Sequence, residues 1–240
     1  MAEAIKARIG FVSGGSSAMP HYNSFLPLIP SEVKLEQEGL DLYRESLYQI
    51  ADKKEIIVRR VQEFVASKGW NGVILTAAPT EVLNPGLFND LNAALPVPFT
   101  TALHACVAAL DIYGAKRVLL LTPFDEKLNA LICQHLDQKG VTAVAPHPFK
   151  ELGVPKRMTP DEVFALTKQC LNPADPVDAI YFQGAVLDPI KVLGKIETEL
   201  GLTVIASNPA MLWYILSKLG LAYPMSGYGR LLQEWPALPE

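Results

Sequence analysis

Gly72-Val73-Ile74-Leu75-Thr76-Ala77-Ala78-Pro79-Thr80 is an apolar run that breaks into a small, polar turn. A short continuous apolar run bounded by turn residues reads as a fully buried parallel strand. Asp178-Ala179-Ile180-Tyr181-Phe182-Gln183-Gly184-Ala185-Val186 repeats the pattern, with Ile180 at an offset of 106 residues from Ile74. Working outward, Val97 and Thr203 stand at the same offset of 106, and Ile9 and Val118 at 109. Strand positions at nearly constant offset, with helical patterns between them, predict an α/β chain of two pseudo-symmetric lobes. Each lobe is expected to be a parallel four-stranded sheet flanked by helices, with the site in the cleft between them. The expected division is 1-113 and 114-240, with a C-terminal helix in 209-240 packing back on the first lobe.

Within the first lobe, strands are predicted at 8–12, near 33–35, at 73–76 and at 96–100. A long helix is expected to carry Leu47, Ile50, Ile57, Val61, Phe64 and Val65 and to end at Gly69. The helix after Thr101 buries Leu103, Cys106, Val107 and Leu110 on this reading. In the second lobe, strands are predicted at 116–122, 178–182 and 202–206. Thr159 and Glu162 are spaced as a capping box around Pro160 at the first helical position.

Composition narrows the function. Half of the 240 residues are apolar and the formal net charge is -4. No run of Lys or Arg exceeds two, so the basic footprint of a nucleic-acid partner is missing. No apolar run approaches the roughly 20 residues that span a bilayer. The N-terminus lacks the apolar core of a signal peptide. The three cysteines are odd in number and widely spaced, which fits neither a disulfide framework nor a zinc knuckle. A cytoplasmic protein with neither a nucleic-acid nor a membrane partner is the expectation.

In parallel sheets, ligands bind outside the carboxyl ends of the strands. Those ends read Ser13-Gly14-Gly15, Thr76 to Thr80, Thr100-Thr101, Thr122-Pro123-Phe124, Gln183-Gly184-Ala185 and Ser207-Asn208, with no Lys or Arg among them. Hydroxyls and helix N-termini bind anions without a formal positive charge, so a small carboxylic acid is the expected ligand. Small polar residues also cap helices, which accounts for some of them. Ser13-Gly14-Gly15-Ser16 is neither a dinucleotide fingerprint nor a P-loop. The histidines do not cluster, and no metal site is expected. His21 is the one whose loop can reach the cleft. Glu81 follows the first turn and is either a general acid or base or a first-turn helix residue favoured by the macrodipole. Tyr48 either closes the pocket or packs.

The ending Ser207-Asn208-Pro209-Ala210-Met211-Leu212-Trp213, followed by Gly227-Tyr228-Gly229-Arg230-Leu231, resembles arylmalonate decarboxylases. The segment Phe25 to Val33 is similar to the corresponding part of maleate isomerases. Over essentially its whole length the chain resembles the Asp/Glu racemase superfamily, in the branch that holds both. The resemblance implies a cofactor-free enzyme enclosing its substrate between two lobes. It further implies a cysteine at one or both paired strand ends, and an oxyanion pocket that stabilises an enediolate. The two cysteine positions fall at about Ala78 and Gly184, and neither is a thiol. The hydroxyl pair that the resemblance implies after the first position becomes Pro79 and Thr80, with one donor lost, and the pocket tyrosine aligns with Phe124.

The reading that follows is a lyase, arylmalonate-decarboxylase-like, acting on a small carboxylic acid with an aryl or apolar substituent. Its proton donor would not be cysteine. The expected catalytic residues are Gln183, Thr80 and Glu81. Ser13, Gly14, Gly15, Tyr48, Thr76, Ala78, Pro79, Phe124, Gly184, Ala185 and Ser207 are expected to line the substrate. A carboxylate-binding protein without catalysis, and an isomerase or hydrolase of the same superfamily, are the alternatives.

Overall fold

The computed structural model describes residues 4–17, 21–146, 158–184, 187 and 189–239. The first sheet is built from β1 (Ala7–Ser13), β2 (Val33–Gly39), β3 (Gly72–Leu75) and β4 (Phe99–Thr101). The second holds β5 (Arg117–Leu121), β6 (Thr142–Val144), β7 (Ala179–Phe182) and β8 (Thr203–Ala206). Their orders, β2-β1-β3-β4 and β6-β5-β7-β8, are the same topology twice, and every pairing is parallel. The predicted fold class is the one observed. β6 is the strand that escaped the reading, because three half-covered residues carry no apolar run.

Strand alternation divides the apolar residues into three layers. Ile9, Phe11, Ile74, Val118, Leu120, Tyr181 and Ile205 join one central cluster, which contains residues of both sheets. Their neighbours Val12, Val73 and Leu75 face an outer cluster of the first lobe, and Leu119, Leu121, Ile180 and Phe182 one of the second. This is the period-2 geometry of a strand buried on both faces.

In the first lobe, α1 (His21–Phe25) precedes β2, α2 (Lys54–Lys68) precedes β3, and α3 (Ala78–Val82) and α4 (Leu87–Ala94) lie between β3 and β4. The long helix begins at Lys54 rather than near Leu47; Leu47–Ile50 is a separate 3-10 turn whose Ser46 side chain accepts from the Tyr48 amide. Gly69, left-handed at φ 63°, ends α2 as predicted.

α5 (Ala102–Ile112) joins the lobes. The second lobe adds α6 (Glu126–Asp137), α7 (Pro160–Cys170), α8 (Leu193–Leu200), α9 (Ser207–Lys218) and α10 (Arg230–Glu234). The capping box of Thr159 and Glu162 forms at the start of α7. The segment 209-240 is not one helix: α9 stops at Lys218 and α10 resumes only at Arg230. α9 packs on α5 and reaches back to β3 and β4. Its Trp213, fully buried, donates its indole N–H to the Pro236 carbonyl at 2.8 Å.

Candidate functional site

Extending the inner-facing parity past each strand end places Ser13, Thr76, Thr122, Gln183 and Ser207 on the side shared by the two lobes. All five are buried.

In the first lobe, β1 runs into a loop whose Gly14 and Gly15 carbonyls accept from the Leu42 and Asp41 amides at 2.9 and 3.0 Å. Tyr43, three residues beyond Leu40, lies against this loop. A Cβ on Gly14 or Gly15 would stand 3.1 and 3.0 Å from its ring, so the approach needs both glycines. The Tyr43 hydroxyl interacts with the Ser13 side chain and Gly15 backbone, while burial pushes its pKa up. Sequence reasoning missed Tyr43 because it sits in a loop of no periodicity.

The second polar end is the turn after β3. Ala77 adopts φ 69° and ψ 115°, a region that L-residues rarely occupy. Strained backbone at the opening of α3 thus coincides with the expected site. Thr80 donates its hydroxyl to the Thr76 carbonyl at 3.2 Å and lies beside Gly14. The Thr76 hydroxyl, by contrast, is buried with no partner among the described residues, an arrangement that costs a folded protein about 1–3 kcal/mol. Ala78 and Pro79 are buried in the first turn.

Across the cleft, the Thr122 hydroxyl accepts from the Phe124 amide at 3.1 Å and pairs with Asn129, whose amide returns to the Phe124 carbonyl. These bonds fix Phe124, 9% exposed, in the central cluster. Gln183 is buried, and its Oε1 accepts from the Tyr181 hydroxyl at 2.6 Å. Gly184 adopts φ 108°, and a Cβ there would stand 2.6 Å from Pro123 Cδ. The place where the family pattern expects a thiol is therefore closed to any side chain in this backbone. Ala185 lies outside the described residues.

Helix caps separate these strand ends into two kinds. α5 and α6 are capped by Thr101 and Asp125, whose side chains accept from the His104 and Leu128 amides. α3 and α9 begin at Ala78 and Ser207 with no side-chain cap. Pro79 and Pro209 carry no N–H and the Thr80 amide is bonded to the Ala77 carbonyl at 3.0 Å, which leaves the Ala78, Ser207 and Asn208 amides of these first turns without a side-chain acceptor.

Two contacts tie the lobes at the cleft. Tyr48 donates its hydroxyl to the Asp125 carboxylate at 2.7 Å, and its pKa is pushed up to about 12 by burial and by that carboxylate. Asn208 donates to Ser24 at 3.3 Å. Tyr48 therefore spans the lobes from its 3-10 turn, and Leu40 belongs to the outer core of the first lobe. Asp125 was not picked out from the sequence, although a helix-capping position after Pro123-Phe124 was the available signal.

Glu81 is carried on another face of α3. Its carboxyl meets Thr101 and borders a cavity between α3, α5, α6 and α9, with Oε2 buried and unpartnered. Burial pushes its pKa up, against the lowering effects of Thr101 and Lys139. His21 opens α1, and His147 lies outside the described residues. Cys106 is fully buried on α5, its pKa pushed up to about 12 by burial, as expected of a structural thiol. Among the described residues no group of His, Cys, Asp and Glu is placed to hold a metal ion, and no helix is long and apolar enough to cross a membrane.

Two like-ordered parallel sheets about a common core, with hydroxyls and helix starts without side-chain caps at their facing ends, define a two-lobed α/β protein. The chain belongs to the arylmalonate decarboxylase family, whose model matches residues 65–232. It is 26% identical over 217 residues to the arylmalonate decarboxylase of Bordetella bronchiseptica, covering 87% of each chain. A crystal structure of arylmalonate decarboxylase superposes with a TM-score of 0.77 at 22% identity, covering 95% of this chain and 99% of that one. The maleate isomerase of Pseudomonas putida S16 superposes at 0.75 with 18% identity over 98% and 100%. The relatives are enzymes, and the branch expected from the sequence is the one found.

Proposed function

We propose that this protein is a lyase that decarboxylates a small malonate-type acid, held at the facing strand ends, without a cysteine proton donor. The single observation that carries the anion site is the buried Thr76 hydroxyl, which has no partner among the described residues. A carboxylate oxygen would supply its partner, and the uncapped starts of α3 and α9 would add N–H donors to the same ligand. The carbon–carbon bond to one carboxylate breaks, carbon dioxide leaves, and the electron pair passes into an enediolate on the remaining carboxylate. That dianion is what preorganised hydroxyls and amides stabilise more than the ground state. One proton then returns to the α-carbon.

Among the hydroxyls of the strand-end loops, Tyr43 is the donor that fits this role, with Ser13 beside it to relay a replacement proton. Tyr48 is committed to Asp125, and Gln183 to Tyr181. Two-thiol isomerisation is not proposed, since Ala78 and Gly184 offer no sulfur.

The test is carbon dioxide release from phenylmalonate. Turnover by the wild type, with Tyr43→Phe lowering kcat about 10²–10⁴-fold at little change in KM, is the expected result. A second reading, a carboxylate-binding protein without catalysis, is favoured by the closed backbone at Gly184. Tight binding of phenylmalonate with no carbon dioxide at any pH would establish that reading instead.

A further inference from the structure

Away from the strand ends lies a cavity of about 910 Å³ bordered by α3, α4, α5, α6 and α9, within the range of small-molecule sites. One wall is apolar and aromatic: Phe88 stacks on the His104 ring at a centroid distance of 4.1 Å, with Val107 and Leu131 nearby. His104 in turn pairs with the Tyr214 hydroxyl at 2.9 Å. Lys139 and Lys218 stand at the rim. Neither has a carboxylate in an ion pair among the described residues, whereas Asp111, on the same rim, is engaged by Lys116 at 3.7 Å. Glu81 Oε2 borders the cavity, buried and without a partner.

We infer that this cavity is a second ligand site, separate from the strand ends, for a small organic anion with a flat apolar body. The carboxylate lies between Lys139 and Lys218, the ring lies along the Phe88–Val107 wall, and Glu81 stands at the inner end. Several observations agree on this charge pattern. His104 is pushed down to about 4 by burial first and then by the charges of Lys139, Lys218 and His135, which therefore converge on the cavity. Burial favours the uncharged form of Glu81, which lessens the repulsion of an anion at the inner end. The site shares α3 with the strand-end turn: Thr80 faces one and Glu81 the other.

The test uses 4-fluorobenzoate as the probe, followed by fluorine NMR on the full chain. The wild type is expected to bind it, with affinity falling as salt is added. Lys139→Gln with Lys218→Gln, both at exposed positions, is expected to weaken binding at least about tenfold. Val107→Trp, which fills the cavity, is expected to abolish the binding that persists in excess malonate, an acid with no flat apolar body. Absence of binding at millimolar probe, binding untouched by the lysine pair, or binding wholly displaced by malonate would each overturn the inference. Because phenylmalonate turnover reports only on the strand ends, failure of this site leaves the proposed reaction standing, and the reverse.

Discussion

At the scale of single residues, Thr76 makes the sharpest forecast, because its buried hydroxyl serves no bond within the protein. Replacing it by Val removes an unsatisfied donor, so the ligand-free protein should gain up to about 1–3 kcal/mol in urea unfolding. The same change should weaken an anionic ligand by a similar amount in calorimetry. Stability and binding that move together would take the hydroxyl out of the site. Gly184 argues the opposite way. Gly184→Cys supplies the missing thiol on paper, but the positive φ and the clash with Pro123 should destabilise the fold by about 1–3 kcal/mol, visible as a lowered thermal midpoint. Alanine at the same place should cost as much, which separates backbone strain from thiol chemistry.

Titration belongs to this scale too. His104 has its pKa lowered from 6.5 to about 4 in the fold, so the unfolded chain binds the extra proton first as pH falls. Stability should therefore decline from about pH 6.5 towards pH 4, and His104→Gln should flatten that limb of a urea-midpoint profile. Glu81 is shifted up instead, so its contribution is present below pH 4.5 and is lost as pH rises into the folded range. Glu81→Gln should consequently stabilise the protein at neutral pH.

Elements were legible where their chemistry was local and repetitive. The runs at Ile74 and Ile180, the Gly69 stop and the Thr159 capping box each declare themselves within a few residues, and they form as read. The 3-10 turn at Leu47–Ile50 was read into α2 because its apolar residues keep helical spacing while the break before Lys54 carries no Gly or Pro. Tyr43 and Asp125 were illegible for a different reason: each acts through a contact made far away in sequence. Asp125 caps α6 and receives Tyr48 at once. Asp125→Ala should lose the cap, about 0.5–2 kcal/mol, plus the bridge, whereas Tyr48→Phe loses only the bridge. A double-mutant cycle of the two in urea unfolding should return a coupling of about 0.5–1.5 kcal/mol, and a coupling of zero would mean the lobes are not latched there.

At the scale of the molecule, repeat offsets revealed two sheets of one topology, but not the central layer that binds them. That layer holds Phe25 and Ile74 from the first sheet's side and Leu120 and Tyr181 from the second's. A core shared this way predicts one cooperative unfolding transition. Trp70 in the first lobe and Trp213 in α9, read separately after replacing the other tryptophans by Phe, should give coincident urea midpoints.

The return of α9 to β3 and β4 also bears on how the protein is made. While the ribosome is still adding the second half of the chain, the inner face of the first sheet is covered only in part, with Tyr22 and Phe25 against Phe11. Ile9, Phe11 and Ile74 stay without their full shelter until residue 218 has left the exit tunnel, so the half synthesised first is among the last to be finished. During that interval the nascent chain presents an apolar surface, which suits chaperone capture and makes a fragment ending at residue 113 prone to aggregate.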